Sequence, residues 1–133
     1  MEIESLTLYA DGACRGNPGP GAIGVVLLDS SGQPIVTISR EVGVTTNNRA
    51  EYMALLAGLE TALALQPRHL EVRMDSELVV NQILGRYRVK DRHLRPLFQR
   101  AQQLLGRFPS VEVTHIPRTL NAAADALAGA AFH

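Results

Sequence analysis

The sequence lacks several features that would each indicate a particular class of protein. It has a single cysteine, Cys14, so no disulfide can form within the chain. No apolar run approaches the roughly 20 residues needed to cross a bilayer, and residues 1–5 lack the basic start and apolar core of a signal peptide. We therefore expect a cytoplasmic protein without a membrane partner. We also expect a monomer, and the length predicts one domain over residues 1–133.

An excess of charge is also missing. The 13 basic and 13 acidic side chains give a formal net charge of zero, which argues against coating nucleic acid through charge alone. However, between Arg86 and Arg107 seven basic residues accompany a single acid, Asp91. A solvated helix face is the usual explanation of such a run. This basic segment, residues 86–107, would contact phosphates only if a nucleic-acid site lay nearby.

A glycine-rich stretch, "DGACRGNPGPGAIG", occupies residues 11–24. Its last six residues fit the G-x-G-x-x-G pattern of dinucleotide-binding proteins, which requires a helix N-terminus after the glycines. The residues that follow Gly24 are Val25, Val26 and Leu27, a run typical of a strand. The glycines are therefore predicted to link two strands, and a dinucleotide site is not supported.

The pattern of apolar residues predicts the element order βββαβααβα. The strands are predicted at 6–10, 22–29, 34–42, 70–74 and 111–116, and the helices at 48–65, 76–84, from 91 or 93 to 105, and 121–131. Three consecutive strands make a meander, and the later strand–helix units need parallel pairing. We expect an α/β fold with a five-stranded mixed sheet and helices on both faces.

Four acids could meet on this fold. Asp11 and Asp75 each follow a predicted strand, and parallel pairing of those strands would bring both carboxylates to one edge of the sheet, where sites commonly form. Glu51 is predicted in the first turn of the first helix, and Asp125 one turn into the last helix.

Each acid also has a structural explanation. Asp11 precedes a glycine, as in many turns. Asp75 precedes a predicted helix, where the helix dipole stabilises a negative charge. Asn48 and Glu51 have the spacing of a capping box. Asp125 differs, because its alanine-rich segment contains no cation that could pair with a carboxylate. Together the four would repel one another unless a cation held them, and oxygen ligands suit Mg²⁺ or Mn²⁺. We predict a divalent-metal site.

Four segments in this order, "DGACRGNPGPG", "TTNNRAEYMALLAGL", "VRMDSELVVNQI" and "NAAADALA", together resemble the type 1 ribonuclease H family. The resemblance implies a ribonuclease H-like fold and cleavage of the RNA strand of RNA–DNA hybrids. It also implies that two ions, roughly 3.5–4 Å apart with substrate bound, activate water and stabilise the leaving oxygen. The metal ligands that it implies are Asp11, Glu51, Asp75 and Asp125, and the implied substrate-binding residues are Gly12, Cys14, Asn17, Asn47 and Asn48.

The chain departs from the best-known bacterial pattern in three places. It has no tryptophan and only a short basic loop after Gly85, so it looks like the shorter archaeal-type branch. Glu77 stands where a glutamine commonly contacts the minor groove. For the family's auxiliary catalytic histidine, spacing favours His115, whereas Arg118 lies on the loop itself; we favour Arg118.

Two other functions remain open from sequence. One is a hybrid- or RNA-binding module of this fold without turnover, since a fold does not fix a function. The other is a related nuclease acting on DNA junctions. Double-stranded RNA is a further potential partner of the same site.

Overall fold

A computed structural model describes residues 3–132 of the chain. The strands are β1 (Ile3–Cys14), β2 (Gly19–Leu28), β3 (Pro34–Thr45), β4 (Pro67–Met74) and β5 (Ser110–His115). The helices are α1 (Asn47–Leu65), α2 (Glu77–Ile83), α3 (Arg95–Leu105) and α4 (Ala122–Ala130), and a 3-10 helix, Arg118–Asn121, precedes α4. The predicted order of strands and helices is confirmed, and the 3-10 helix is the element that the sequence patterns missed.

The five strands form one mixed sheet in the order β3-β2-β1-β4-β5. The first three strands pair antiparallel as a meander, whereas β4 runs parallel to both β1 and β5. The glycine-rich stretch lies at the β1–β2 hairpin, so the glycines link two strands as predicted. Among residues 3–132, no helix is long and apolar enough to cross a membrane.

Helices cover both faces of this sheet, as the sequence predicted. On one face Leu8 is fully buried against Gly58 of α1, where a methyl group on the glycine would overlap the leucine side chain. On the other face Gly24 of β2 lies against the backbone of α4 at Ala124. Because Asp11 pairs directly with Gly24, its side chain projects on the α4 face.

A buried polar contact holds α1 and α2 together beneath the basic segment. The Tyr52 hydroxyl of α1 donates a hydrogen bond of 2.7 Å to Gln82 Oε1 of α2. The Gln82 amide in turn donates to the Arg88 carbonyl oxygen at 3.2 Å. Gln82 is 3% exposed, so a buried hydrogen-bonded side chain attaches the start of the basic segment to α1 and α2.

The capping-box interpretation of α1 is wrong. The residue that caps the helix is Thr46, whose side chain accepts a hydrogen bond from the Arg49 N–H at 3.3 Å. Since the helix begins at Asn47, Asn48 lies inside the first turn and Glu51 lies beyond it. The Glu51 side chain is therefore free to contact another element.

The carboxylate cluster as a candidate metal centre

Parallel pairing of β1 and β4 brings Asp11 beside Asp75. The pairing ends at Ala10 and Met74, and each aspartate is the next residue along its chain. The expectation that Asp11 follows its strand is wrong, because β1 stays paired with β2 as far as Cys14. The predicted edge of the sheet is nevertheless correct, because it depends on where the parallel pairing of β1 and β4 stops.

Glu51 reaches the same edge from α1. Its Oε1 accepts a hydrogen bond from the Gly12 N–H at 2.5 Å, which fixes the carboxylate against β1. Any side chain on Gly12 would overlap the backbone of Ala50 and Glu51. Glycine at position 12 is therefore what allows the helix to approach the strand so closely.

These three acids form a compact cluster of oxygen ligands. Carboxylate oxygens of Asp11, Glu51 and Asp75 all lie within 4.8 Å of one another. Burial, reinforced by the charge of Asp75 and by Asp125, raises the pKa of Asp11 to about 7. Burial, followed by the charge of Asp11, raises the pKa of Glu51 to about 9, although the Gly12 N–H opposes the shift. When ionised, these carboxylates repel one another, and a divalent cation bound between them would offset that repulsion. Their all-oxygen ligand set suits a hard cation.

Asp125 lies at the more exposed side of the cluster. It lines a cleft of about 270 Å³ together with the other three acids, and its side chain is 45% exposed. The expectation that Asp125 has no cationic partner is wrong, because Arg118 Nη2 lies 3.6 Å from its carboxylate. Local sequence could not reveal this pair, since the 3-10 helix turns Arg118 back toward α4.

The two residues considered for the auxiliary role occupy different positions. Arg118 lines the cleft, and its side chain is 79% exposed. His115 is the last residue of β5, and its Nε2 lies 3.3 Å from the Asp75 carbonyl oxygen. Among the residues that line the cleft, Arg118 is present and His115 is not.

Of the five residues expected to bind substrate, three line the cleft and two do not. Gly12, Cys14 and Asn47 line the cleft. Asn17 is exposed and accepts a hydrogen bond from the Asn47 N–H at 3.0 Å, so it joins the hairpin loop to the start of α1. Asn48 is exposed on α1 and is not part of the cleft lining.

Cys14 and Glu77 each form a hydrogen bond within the chain. The Cys14 thiol donates to the Thr45 carbonyl oxygen at 3.4 Å, and partial burial raises the pKa of this thiol. Glu77 accepts a hydrogen bond from the Tyr87 hydroxyl at 2.9 Å, which links the start of α2 to the basic segment.

One polar residue at the site was missed by the sequence analysis. Asn121 is 1% exposed, and its Nδ2 donates to the Ala10 carbonyl oxygen at 3.0 Å and to Asp75 Oδ1 at 2.9 Å. In sequence an asparagine before an alanine-rich helix is typical of a cap, yet this side chain makes no capping bond. Its partners are more than 40 residues away along the chain, so no local signal could identify them.

Comparisons with known proteins identify relatives of this chain. The family described as "Reverse transcriptase-like" matches residues 9–131. The protein "Ribonuclease HI" of Halobacterium salinarum is 45% identical over 124 residues, which cover 93% of this chain. The chain belongs to the type 1 ribonuclease H family. The expectation of this family and its fold is thereby confirmed.

Two further proteins are similar to this chain over most of its length. The crystal structure of LC11-RNase H1 in complex with an RNA/DNA hybrid is 42% identical, has a TM-score of 0.89 and is matched over 95% of each chain. The "Bifunctional protein Rv2228c" of Mycobacterium tuberculosis is 40% identical over 128 residues. This chain spans 62% of the length of the Halobacterium relative and 35% of Rv2228c.

Proposed function

We propose that this chain is a ribonuclease H, a metal-dependent endonuclease that hydrolyses the RNA strand of RNA–DNA hybrids. The observation that carries the proposal is the cluster of Asp11, Glu51 and Asp75, whose oxygens lie within 4.8 Å of one another. Such a cluster is unfavourable without a cation and is what metal-assisted phosphodiester hydrolysis requires. A related structure that contains an RNA/DNA hybrid supports the hybrid as substrate.

Asp11, Glu51 and Asp75 would hold the metal, and Asp125 would complete the site from α4. We propose Mg²⁺ as the cofactor and Mn²⁺ as a substitute, since both prefer oxygen ligands. Bound divalent ions would activate water and stabilise the leaving oxygen of the cleaved phosphodiester. Residues 1–133 would form the single domain that carries this activity.

The chain's own residues orient these groups. The Gly12 N–H fixes Glu51, and Arg118 neutralises part of the charge of Asp125. Because Arg118 is exposed in the cleft, its guanidinium is available to a phosphate group of the substrate, and we propose it as the auxiliary catalytic group.

Recognition of the hybrid would depend on the hairpin and the start of α1. RNA is distinguished from DNA by its 2′-hydroxyl, which lies in the wide minor groove of an A-like duplex. Gly12, Cys14 and Asn47 border the acids in the cleft, and Asn17 and Asn48 lie on the exposed ends of the same two elements. Backbone and amide contacts from these residues would read the sugar without reading the base sequence.

A cleavage assay with a panel of labelled substrates tests the proposal. Hybrid, duplex RNA, duplex DNA and DNA junctions are incubated with the chain and Mg²⁺ or Mn²⁺, beside an Asp75→Asn control. We expect cleavage of the RNA strand of the hybrid alone, and no cleavage by the control. Binding of the hybrid without cleavage would support a binding module instead, and cleavage confined to junctions would support a DNA nuclease. Cleavage of duplex RNA as well would widen the substrate class.

A further inference from the structure

A buried amide bridges the two strands that carry Asp11 and Asp75. Asn121 is the last residue of the 3-10 helix, and its Nδ2 donates to the Ala10 carbonyl oxygen and to Asp75 Oδ1. Both hydrogens of the amide nitrogen are therefore used. One holds the residue just before Asp11, and the other holds a carboxylate of the cluster directly.

The same side chain leaves its oxygen without a partner. Asn121 Oδ1 is buried, and no atom among residues 3–132 donates a hydrogen bond to it. An unsatisfied buried acceptor opposes folding, so the two hydrogen bonds that Asn121 donates are what favour an asparagine at this position. Asn121 therefore makes two hydrogen bonds through Nδ2 while its Oδ1 stays without one.

Repulsion gives these bonds a specific task. Asp75 lies beside two further carboxylates, and without a cation its side chain would be pushed away from them. A neutral amide donor can hold Asp75 in place without adding a positive charge that would compete with a metal ion. Because the bond uses one oxygen of Asp75, the other oxygen stays available as a ligand.

We propose that Asn121 is a positioning residue for the metal centre. Its amide holds Asp75 and the end of the β1–β4 pairing in the arrangement that binds the cation, and it touches neither substrate nor the reacting atoms. The role in catalysis rests on the function proposed above, whereas the role in metal binding can be measured without it.

Metal affinity of two variants tests this role. Asn121→Leu fills a similar space without the unpaired oxygen, and Asn121→Ala removes the donors without adding bulk. Outer hydrogen-bond partners of metal ligands change metal affinity by about 10- to 100-fold, and we expect the dissociation constant for Mn²⁺, measured by calorimetry, to rise by that factor in both. Folded variants with the dissociation constant of the original chain would overturn the proposal.

Gln82→Leu is the matched control. Gln82 is also a buried amide that bridges two parts of the chain, but it contacts no carboxylate of the cluster. We expect this variant to lose stability and to bind Mn²⁺ as the original chain does. Equal loss of Mn²⁺ affinity in the control would mean that any buried amide has this effect, and it would contradict a specific role for Asn121.

A measurement on the unaltered chain covers the case in which neither Asn121 variant folds. The side-chain amide signals of Asn121 are followed by NMR during titration with Mg²⁺, and we expect them to shift in step with metal binding. Signals that stay fixed at metal saturation would overturn the proposal. Cleavage of the hybrid by the unaltered chain is assayed separately, so failure of the proposed function is distinguished from failure of this inference.

Discussion

Gly24 of β2 lies so close to the carbonyl oxygen of Ala124 in α4 that a methyl group on the glycine would overlap that oxygen. Asp125 follows Ala124 directly, and Gly24 is the pairing partner of Asp11. The close approach of these two backbones therefore sets how near the carboxylate of α4 comes to the carboxylate of β1.

Gly24→Ala should displace α4 and separate Asp125 from the cluster. We expect a loss of about 1–3 kcal/mol in the free energy of unfolding, as for other overpacked cores, together with slower cleavage of the hybrid. Gly129→Ala, in the same helix, is the control, because among residues 3–132 no atom outside its chain neighbours and the nearby helix backbone lies within 4 Å of the added carbon. It should keep activity and gain up to about 1 kcal/mol. Denaturation curves and hybrid cleavage measure both effects, and an equally active Gly24→Ala chain would contradict this account of α4.

Asp125→Asn should abolish metal-dependent cleavage without destabilising the metal-free chain. Asp125 helps to raise the pKa of Asp11, so removing its charge relieves repulsion. The ion pair with Arg118 is exposed, at 79% and 45% of the two side chains, and such pairs contribute about 0–1 kcal/mol. Thermal melts with and without Mg²⁺, beside a cleavage assay, measure both effects. A loss of about 1–3 kcal/mol in the metal-free chain would identify Asp125 as a structural acid instead.

The metal-free chain should lose stability as the pH rises. The pKa values of Asp11 and Glu51, about 7 and about 9, exceed the ordinary values of 3.8 and 4.5. Within this window the folded state binds more protons than the unfolded state, so the free energy of unfolding falls with increasing pH. Melts from about pH 5 to about pH 9 should show this fall in a chelator and a smaller fall in Mg²⁺.

Glu51→Gln is the control for the pH dependence. Its side-chain oxygen can still accept the Gly12 N–H, while the titrating group is gone. The slope of stability against pH should therefore become shallower. A slope unchanged by this variant, or stability that rises through the same window, would contradict the mutual repulsion inferred for the cluster.

The sequence was informative wherever function follows from local patterns or from strand direction. Alternating or continuous runs of apolar residues predicted all five strands, and the rule that parallel strands end at one edge of the sheet placed Asp11 near Asp75. The role of Glu51 was harder to predict, because its spacing from Asn48 fits a capping box as well as a metal ligand. Which of the two roles it has depends on how closely α1 approaches Gly12. Asn121 and the Arg118–Asp125 pair depend on the 3-10 helix, whose irregular path has no periodic signal.

Replacing Arg86, Arg88 and Lys90 together should weaken hybrid binding and reduce its salt dependence. All three side chains are exposed on the loop after α2. Each phosphate contact that is lost should lower the slope of log affinity against log salt by about 0.9. Arg95 is left unchanged, because its side chain donates to the carbonyl oxygens of Val89 and Lys90 and holds the loop. Binding titrations at several salt concentrations provide the slope.

A paired substitution of Arg100 and Arg107 is the control for the basic segment. These side chains border a groove with Leu63 of α1, and Leu63 lies roughly 18 Å along that helix from Glu51. Their loss should leave the salt slope unchanged. An unchanged slope in the triple variant as well would return residues 86–107 to the explanation of a solvated face.

The most direct test of the central claim is the rate at which the chain cleaves the labelled RNA strand of a hybrid in Mg²⁺, compared with the rate for Glu51→Gln. The variant keeps a side chain that can accept the Gly12 N–H and removes only the charge. We predict metal-dependent cleavage by the original chain, none in chelator, and a loss of at least about 100-fold in the variant, since the carboxylate is proposed to hold the metal. A folded Glu51→Gln chain that cleaves the hybrid at the original rate would contradict the account.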